Sequence, residues 1–342
     1  MKAGIYNPYW DTLGGGERYT ASFAKVLVDN GIKVDIEWKS KELLQDLHKR
    51  FGIDLKHVNI VSSIEKGDGY DLVFWLSDGS IPLLKSRNNI LHFQFPFSKI
   101  RGNSLMNKMK LFRINSIVCN SFFTKEIIDK EFGVTSSVIY PPVDVSSFKP
   151  KRKEKIILYV GRFSELTQAK RQDVLVRVFK KLTDSGVKGW KLVLAGGTEV
   201  GGKDYLNELR KNAQGYNIEI LESPDFKSIK ELFGKATIFW SAAGYGVDED
   251  KEPKKVEHFG ITVVEAMSAG CAPIIYNAGG HKEIVENDFN GYLWNSKKNL
   301  IVNTKKLINN PKISKNIAKQ AIESSKVYEL DRFKLEVEEL IK

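Results

Sequence analysis

The sequence predicts an α/β protein made of two Rossmann-like domains. Short strand-like and helix-like runs alternate along the whole chain, as in βαβ units that form a mostly parallel sheet covered on both faces. The alternation is interrupted once, by Pro141, Pro142 and the basic run 149–155, which predicts a linker. A chain of 342 residues is also long enough for two domains of ordinary size.

The first half begins with a strand, a glycine-rich turn and a helix, and then continues with short strands. The expected helix covers 17–30, and the expected strands cover 3–6, 33–37, 71–76, 89–93 and 116–120. We assign this half to a first domain, 1–148.

The second half repeats the alternation and forms a second domain, 149–327. Its expected strands cover 155–162, 191–195, 217–221, 237–241 and 272–276, and its expected helices cover 171–185, 204–214 and 228–233. A last helix is expected at about 328–342.

The composition restricts the classes of protein to which this chain can belong. Hydrophobic residues make up 42% of the chain, which supports real cores and argues against disorder. The two cysteines lack a metal-binding spacing and fit a reducing cytosol. No run of 18 apolar residues occurs. The net charge of +11 is spread over both halves, which suits phosphates or anionic lipid headgroups better than one nucleic-acid face.

The most informative stretch holds two glutamates, Glu257 and Glu265, separated by a loop with Phe259, Gly260 and Ile261. We expect the first on the loop and the second in the first turn of a helix. A helix N-terminus suits a phosphate, and a carboxylate can accept two sugar hydroxyls. Together these describe a nucleotide-sugar site. The alternative is structural, because the run 262–265 also reads as a capping box with the threonine as N-cap.

Two further segments could meet a diphosphate. The triple glycine 14–16 lies between the first strand and the first helix, where it could form an anion-binding nest or a flexible turn. It is not the GxGxxG pattern of NAD-binding proteins. Arg162 and Lys170 lie beyond a strand end, where they could clamp a diphosphate or form a solvated basic loop. Arg171 could substitute for either.

His92 and an acidic triplet each admit two interpretations. His92 stands among aromatic residues near a strand's carboxyl end, either as a packed core residue or as a ligand contact. The triplet Asp248, Glu249 and Asp250 imitates a D-x-D metal motif. We interpret it as a charged surface loop instead, so no metal site is predicted.

The segment 257–283 resembles the E-x7-E signature of the retaining glycosyltransferases of family 4. The resemblance covers nearly the whole chain. It implies the GT-B architecture, with a cleft between two Rossmann-like domains and a last helix that returns to the first. It also implies that no cofactor or metal is needed, since the nucleoside-diphosphate sugar is a substrate.

The resemblance implies a role for each candidate residue. Glu257 would meet the donor sugar, with His92 beside it, and Glu265 would meet the ribose. Arg162 and Lys170 would stabilise the leaving diphosphate. The remaining donor-binding residues would be Gly15, Gly16, Phe259, Gly260 and Ile261.

The E-x7-E stretch is most similar to the dolichol-linked α-1,2-mannosyltransferases. This implies a GDP-mannose-type donor and a saccharide or lipid-linked acceptor. Three alternatives stay open: a UDP-sugar-dependent transferase with a soluble acceptor, a non-catalytic nucleotide-sugar-binding protein, and an NAD-dependent oxidoreductase. No nucleic-acid partner is expected.

The segment from Lys99 to Arg113 carries five cations and no acid. On a helix starting near Ser104, its apolar residues share one face, which suits contact with anionic lipid. The alternative is a surface helix packed on its own core. We therefore expect a cytoplasmic protein, with peripheral attachment to the inner or cytosolic membrane face as a hypothesis.

Overall fold

The computed structural model describes residues 1–165, 168–198 and 201–342. The chain forms two compact units: Met1–Pro142 together with Leu330–Lys342, and Val143–Glu329. Each unit contains one sheet in which every strand pair is parallel. The predicted class, α/β with two Rossmann-like units, is confirmed.

The sheet of the first unit has seven strands in the described residues. The strands are β1 (Lys2–Tyr6), β2 (Lys33–Glu37), β3 (Asn59–Val61), β4 (Leu72–Leu76), β5 (Asn88–Phe93), β6 (Ser116–Cys119) and β7 (Ser137–Val138). Its helices in chain order are α1 (Gly15–Asp29), α2 (Glu42–Phe51), α3 (Leu105–Leu111) and α4 (Phe122–Phe132).

The strand order of this sheet is β3-β2-β1-β4-β5-β6-β7, so the order reverses between β1 and β4. Open α/β sheets bind ligands beyond the carboxyl ends of the strands at such a reversal. The glycine turn 14–16 follows β1 and therefore belongs to this point of the sheet.

The second unit contains a six-stranded sheet in the described residues. Its strands are β8 (Glu154–Val160), β9 (Lys191–Gly196), β10 (Ile218–Glu222), β11 (Ala236–Ser241), β12 (Ala272–Tyr276) and β13 (Tyr292–Trp294). Its helices are α5 (Gln172–Asp184), α6 (Lys203–Ala213), α7 (Phe226–Lys235), α8 (Ile261–Ser268), α9 (His281–Ile284), α10 (Lys297–Asn309) and α11 (Pro311–Ser325).

The strand order here is β10-β9-β8-β11-β12-β13, with the reversal between β8 and β11. The middle parts of these two central strands are buried, and Ile157, Leu158, Ile238 and Phe239 are fully buried. The loops that follow β8 and β11 thus start from a rigid core, at the edge of the sheet where such folds bind ligands.

The last helix, α12 (Leu330–Leu340), belongs to the first unit although it follows the second in sequence. Phe333 and Val337 are buried in the core of the first unit. The Phe333 ring meets Tyr19 edge-on at 5.1 Å, and Asn30 Nδ2 donates to Glu338 Oε1 at 3.0 Å. Burying its apolar face there fixes α12 to α1.

No helix in the described part of the chain combines the length and the hydropathy that crossing a bilayer requires.

Candidate functional site

The loops after β8 and β11 bring together two predicted site residues that are far apart in sequence. Lys170 lies just before α5, and Glu257 lies in the loop between β11 and α8. Lys170 Nζ donates to Glu257 Oε2 at 2.6 Å, and both side chains are mostly shielded from solvent. A charged pair therefore lies at the topological reversal of the sheet, where the fold binds ligands.

The Glu257 carboxylate is held in its charged form. Burial by itself would raise the pKa of Glu257. The Lys170 charge opposes this effect most strongly, and His281, the hydrogen bond from Lys170 and His258 contribute in decreasing order. Together they lower the pKa of Glu257 to about 2. Burial lowers the pKa of His281, and its Nδ1 lies 3.0 Å from the Tyr276 carbonyl oxygen. At neutral pH Glu257 can therefore only accept hydrogen bonds.

Gly279 and Gly280 pack directly against the backbone of Glu257 and His258. Gly280 N–H donates to the Glu257 carbonyl at 2.8 Å. A Cβ on Gly280 would lie 2.3 Å from the His258 carbonyl oxygen, and one on Gly279 would lie 2.1 Å from the Glu257 carbonyl oxygen. Only glycine permits so close an approach of the two backbones.

Glu249 holds this glycine loop in place. Its Oε2 accepts the Gly279 N–H at 2.6 Å, and its Oε1 accepts Lys282 Nζ at 2.6 Å. Glu249 is therefore a positioning residue for the loop behind Glu257. The sequence did not reveal this role, because 30 residues separate Glu249 from Gly279.

The neighbours of Glu249 in the acidic triplet have surface contacts. Asp248 pairs with Lys251 at 2.9 Å, and its Oδ1 accepts the Asp250 backbone N–H at 3.2 Å. Among the residues that the structure describes, no three His, Cys, Asp or Glu side chains cluster as a metal site would need.

The backbone of Arg162 is fixed, and its side chain is exposed. Gln172 Nε2 donates to the Arg162 carbonyl at 2.8 Å, and Tyr205 donates its hydroxyl to Gln172 Oε1 at 3.1 Å. Burial raises the pKa of Tyr159 well above its usual value; the Glu257 charge adds to this, and the Arg162 charge opposes it. Arg162 thus shares the electrostatic environment of Glu257. Gln172 is a second positioning residue without a sequence signal.

The guanidinium of Arg171 contacts Asp173 and Tyr245 in this structure. Its Nε donates to Asp173 Oδ1 at 3.0 Å, and its Nη1 donates to the Tyr245 carbonyl at 2.8 Å. These contacts direct the guanidinium towards Asp173 and Tyr245, and its ability to replace Arg162 or Lys170 stays a prediction.

Helix α8 begins two residues earlier than a capping box with Thr262 as N-cap requires. Gly260 is its N-cap, with φ of 119°, and no side chain caps the helix. The capping role of Thr262 is therefore wrong, because the left-handed glycine starts the helix at Ile261. Glu265 consequently lies in the second turn and not in the first, and its side chain is buried.

The residue before the N-cap, Phe259, packs its ring edge-on against Tyr328 at 5.3 Å. This contact anchors the loop that leads into α8. The first N–H groups of a helix have no acceptor within the helix, so Gly260 and Ile261 present backbone donors at the start of α8.

In the first unit, α1 begins at Gly15, and Gly16 lies in its first turn. Glu17 folds back onto the turn: its Oε2 accepts the Gly14 N–H at 2.8 Å and the Thr12 hydroxyl at 2.6 Å. Glu17 thereby fixes the glycine turn at the β1–β4 reversal. No sequence signal indicated this positioning role of Glu17, which these contacts reveal.

His92 is a core residue. Its side chain is fully buried and stacks on Tyr19 with 4.2 Å between ring centroids. Burial lowers the pKa of His92 to about 4, so the ring is neutral at pH 7. The ring reaches no surface in this structure, and its contact with the donor sugar stays a prediction. Its Nε2 meets Gln94 Oε1 at 2.9 Å.

Comparison with known proteins identifies the family. The model of the family described as "Glycosyl transferases group 1" matches residues 143–324, more than half of the chain. The chain belongs to this family. The predicted resemblance and the predicted enzyme class, a glycosyltransferase, are confirmed, and the oxidoreductase alternative is wrong.

Among curated proteins, the chain is similar to the GDP-Man:Man(3)GlcNAc(2)-PP-Dol alpha-1,2-mannosyltransferase of Homo sapiens. The two are 32% identical over 184 residues, which is 48% of this chain and 35% of the human protein. The chain thus matches only about a third of that relative's length.

Solved structures of the same fold cover both units. A glycosyltransferase from Rickettsia africae ESF-5 matches with a TM-score of 0.78 and 18% identity over 100% of this chain and 97% of the other. Anabaena Alr3699/HepE in complex with UDP matches with a TM-score of 0.75 and 16% identity over 99% and 98%. These similarities establish the GT-B fold.

Proposed function

We propose that the protein transfers a hexose, with mannose favoured, from a nucleoside-diphosphate sugar to a saccharide or lipid-linked acceptor, with retention at the anomeric carbon. The observation that carries this proposal is the Lys170–Glu257 pair at the reversal of the second sheet, inside the range 143–324 that matches the family. Mannose is favoured because the human relative is a GDP-mannose-dependent mannosyltransferase by name.

The second unit would bind the donor through complementary charges. A diphosphate offers oxygen acceptors to Lys170 and Arg162 and to the backbone N–H groups at the start of α8. Glu265 would accept hydrogen bonds from the ribose hydroxyls. These contacts together distinguish a nucleotide sugar from a free sugar or a free phosphate.

Donor binding would rearrange the ion pair. In this structure Lys170 Nζ donates a hydrogen bond to Glu257 Oε2. A bound diphosphate competes for the ammonium, and the hydroxyls of the sugar compete for the carboxylate. Each charged group then keeps a partner, so neither pays the cost of an unpaired charge in a shielded site.

The reaction would proceed on one face of the sugar. The bond from the anomeric carbon to the phosphate oxygen breaks, and a bond to the acceptor oxygen forms. The proton of the acceptor hydroxyl passes to the leaving phosphate. Lys170 and Arg162 would stabilise the negative charge that develops on this phosphate, and Glu257 would orient the sugar.

A turnover assay with a panel of donors tests the proposal. The protein is incubated with GDP-mannose, GDP-glucose, UDP-glucose or UDP-N-acetylglucosamine, and release of the nucleoside diphosphate is measured with and without a mannose-terminated acceptor. We expect release from GDP-mannose above the no-enzyme rate, increased by acceptor.

The other outcomes separate the alternatives. Release from UDP-sugars alone would replace the mannose assignment with the UDP-sugar alternative. Donor binding without release would support the non-catalytic binding protein. No binding of any nucleotide sugar would contradict the proposed function altogether.

A further inference from the structure

Helix α3 exposes large apolar side chains that the fold leaves uncovered. Leu105, Met106, Met109 and Phe112 are 77%, 62%, 61% and 90% exposed. No residue of α3 is buried. Single exposed apolar residues are ordinary, but four large ones within eight residues form a patch that favours a partner.

These side chains form one face of the helix, and lysines flank it. At about 100° per residue, Leu105, Met106, Met109 and Phe112 fall within an arc of about 120°. Two cations, Lys108 and Lys110, project just outside the two edges of this arc.

The opposite side of α3 faces the protein. Leu111 and the nearby Ile114 pack against the core cluster that contains Phe93 and Phe132. The exposed apolar arc is therefore a second face, separate from the one that attaches α3 to the fold. The expectation that the segment is only a surface helix packed on its own core accounts for Leu111 and not for the exposed arc.

The segment that leads into α3 is fixed to the fold. The Glu131 carboxylate accepts backbone N–H groups from Lys99 at 2.7 Å, Ile100 at 3.0 Å and Gly102 at 3.0 Å. Burial would raise the pKa of Glu131, but these backbone hydrogen bonds lower it. The turn that this carboxylate organises includes Lys99 and Arg101, whose φ angles are 60° and 58°. The exposed apolar patch is thus attached to a turn that hydrogen bonds hold in place.

The charge of the segment selects an anionic partner. Five cations and no acid lie between 99 and 113, namely Lys99, Arg101, Lys108, Lys110 and Arg113. Two copies of such a surface would repel each other, which disfavours self-association. A nucleic acid would call for several aromatic stacking platforms between the cations, whereas Phe112 is the one aromatic residue among the four exposed apolar residues of the patch.

We propose that α3 docks the first unit on an anionic lipid bilayer, with the apolar arc in the acyl boundary and Lys108 and Lys110 at the phosphates. Long lysine side chains reach headgroups while their aliphatic stems follow the apolar face. Insertion of apolar side chains and attraction of cations contribute together to such interfacial binding. The proposal concerns a surface of the first unit and does not depend on which donor the second unit binds.

Vesicle co-sedimentation with the full chain tests the proposal. The vesicles contain phosphatidylglycerol mixed with phosphatidylcholine, or phosphatidylcholine alone. We compare the wild type with Lys108→Gln/Lys110→Gln and with Leu105→Ser/Phe112→Ser. The controls are Lys312→Gln/Lys315→Gln and Val302→Ser/Leu335→Ser, which alter exposed residues of other helices. Melting temperatures verify that each variant folds.

We expect the wild type and both controls to bind the anionic vesicles more strongly than the neutral ones. Removing two cations should weaken binding by about thirtyfold, at about tenfold per 1.4 kcal/mol. The apolar variant should weaken binding at least about tenfold. Salt should weaken wild-type binding, because the Debye length falls from about 10 Å at 0.1 M to about 3 Å at 1 M.

Three results would overturn the proposal. The first is equal binding of the wild type and the two α3 variants. The second is no vesicle binding by the folded wild type. The third is a wild-type oligomer, measured by sedimentation without vesicles, that Leu105→Ser/Phe112→Ser converts to a monomer, because the patch would then be a contact between copies of this chain.

Discussion

Lys170 and Glu257 form a shielded ion pair that adds little to stability when it is compared with a pair of packed apolar residues. Removing two charges from water costs free energy that their attraction only partly returns, so replacing such pairs by apolar residues is often neutral for stability. The placement of this pair in a ligand-binding loop is better explained by the charges themselves. In the proposed function, Lys170 would attract the diphosphate, and Glu257 would hold hydroxyl groups of the sugar.

The first prediction concerns Arg162. Charge develops on the leaving diphosphate in the transition state, so Arg162→Ala should lower kcat by about a hundredfold and change donor affinity much less. Steady-state kinetics with a saturating acceptor measures the two effects separately. Arg152→Ala, which alters an exposed arginine near the amino end of β8, is the control. A change in KM alone would contradict the role.

The second prediction follows from the pKa of Glu257. The folded-state pKa of about 2 lies below the usual value of 4.5 for a glutamate, so the Glu257 charge stabilises the fold above pH 4.5. This contribution is lost as pH falls from 4.5 towards 2. Relative to Glu257→Gln, the wild type should lose about 1 kcal/mol between pH 5 and pH 3.5. Denaturant unfolding at both pH values measures the difference, and a pH-independent gap would refute the shift.

At the scale of elements, loops at the ends of β8, β11 and β12 build the site. Glu249 links the glycine loop after β12 to the loop after β11. A charge-assisted hydrogen bond to a backbone N–H contributes roughly 1.5–3 kcal/mol. The geometry around Glu257 thus depends on a residue that would contact no substrate.

The third prediction tests this support. Glu249→Ala should weaken donor binding by about tenfold or more and lower the melting temperature, because the Gly279 N–H and Lys282 lose their acceptors. Asp248→Ala is a matched control, since it removes the adjacent exposed carboxylate, whose surface ion pair contributes little. Equal damage by the two substitutions would show that the loop is sensitive to any change of charge.

Periodicity predicted most of the elements that carry the site. The strands at 33–37 and 272–276 were predicted with the observed bounds, and helix α5 was predicted to within one residue at each end. Helix α2, β3 and α4 were not predicted. The short β3 has one exposed and two partly exposed residues, so its composition carries little strand signal.

The site was only partly predictable. Lys170 and Glu257 were recognised through the family resemblance, and the structure pairs them. Gln172 and Glu249 were missed because their partners become neighbours only when the sheet forms. The capping pattern at Thr262 placed the start of α8 two residues too late, because the left-handed Gly260 is the N-cap.

At the scale of the whole molecule, the net charge of +11 allows recognition of phosphate without a metal ion. The fourth prediction is that turnover persists in EDTA, because Lys170, Arg162 and the N-terminus of α8 neutralise the diphosphate. The measurement is the initial rate with EDTA and with added Mg²⁺ or Mn²⁺. Loss of the rate in EDTA and its return with either ion would contradict a metal-independent reaction.

The central claim is that the second unit binds a nucleoside-diphosphate sugar at the Lys170–Glu257 pair. Isothermal titration of GDP-mannose into the wild type, Lys170→Gln and Lys191→Gln tests it most directly. Lys191 forms a more exposed ion pair with Glu219 at 3.0 Å, and it lies at the start of β9, at the opposite edge of the same sheet.

We expect Lys191→Gln to bind GDP-mannose like the wild type and Lys170→Gln to bind it at least about tenfold more weakly, because a hydrogen bond to a charged group contributes roughly 1.5–3 kcal/mol. Equal affinity of Lys170→Gln and the wild type for GDP-mannose, or for whichever nucleotide sugar the turnover panel selects, would contradict the claim.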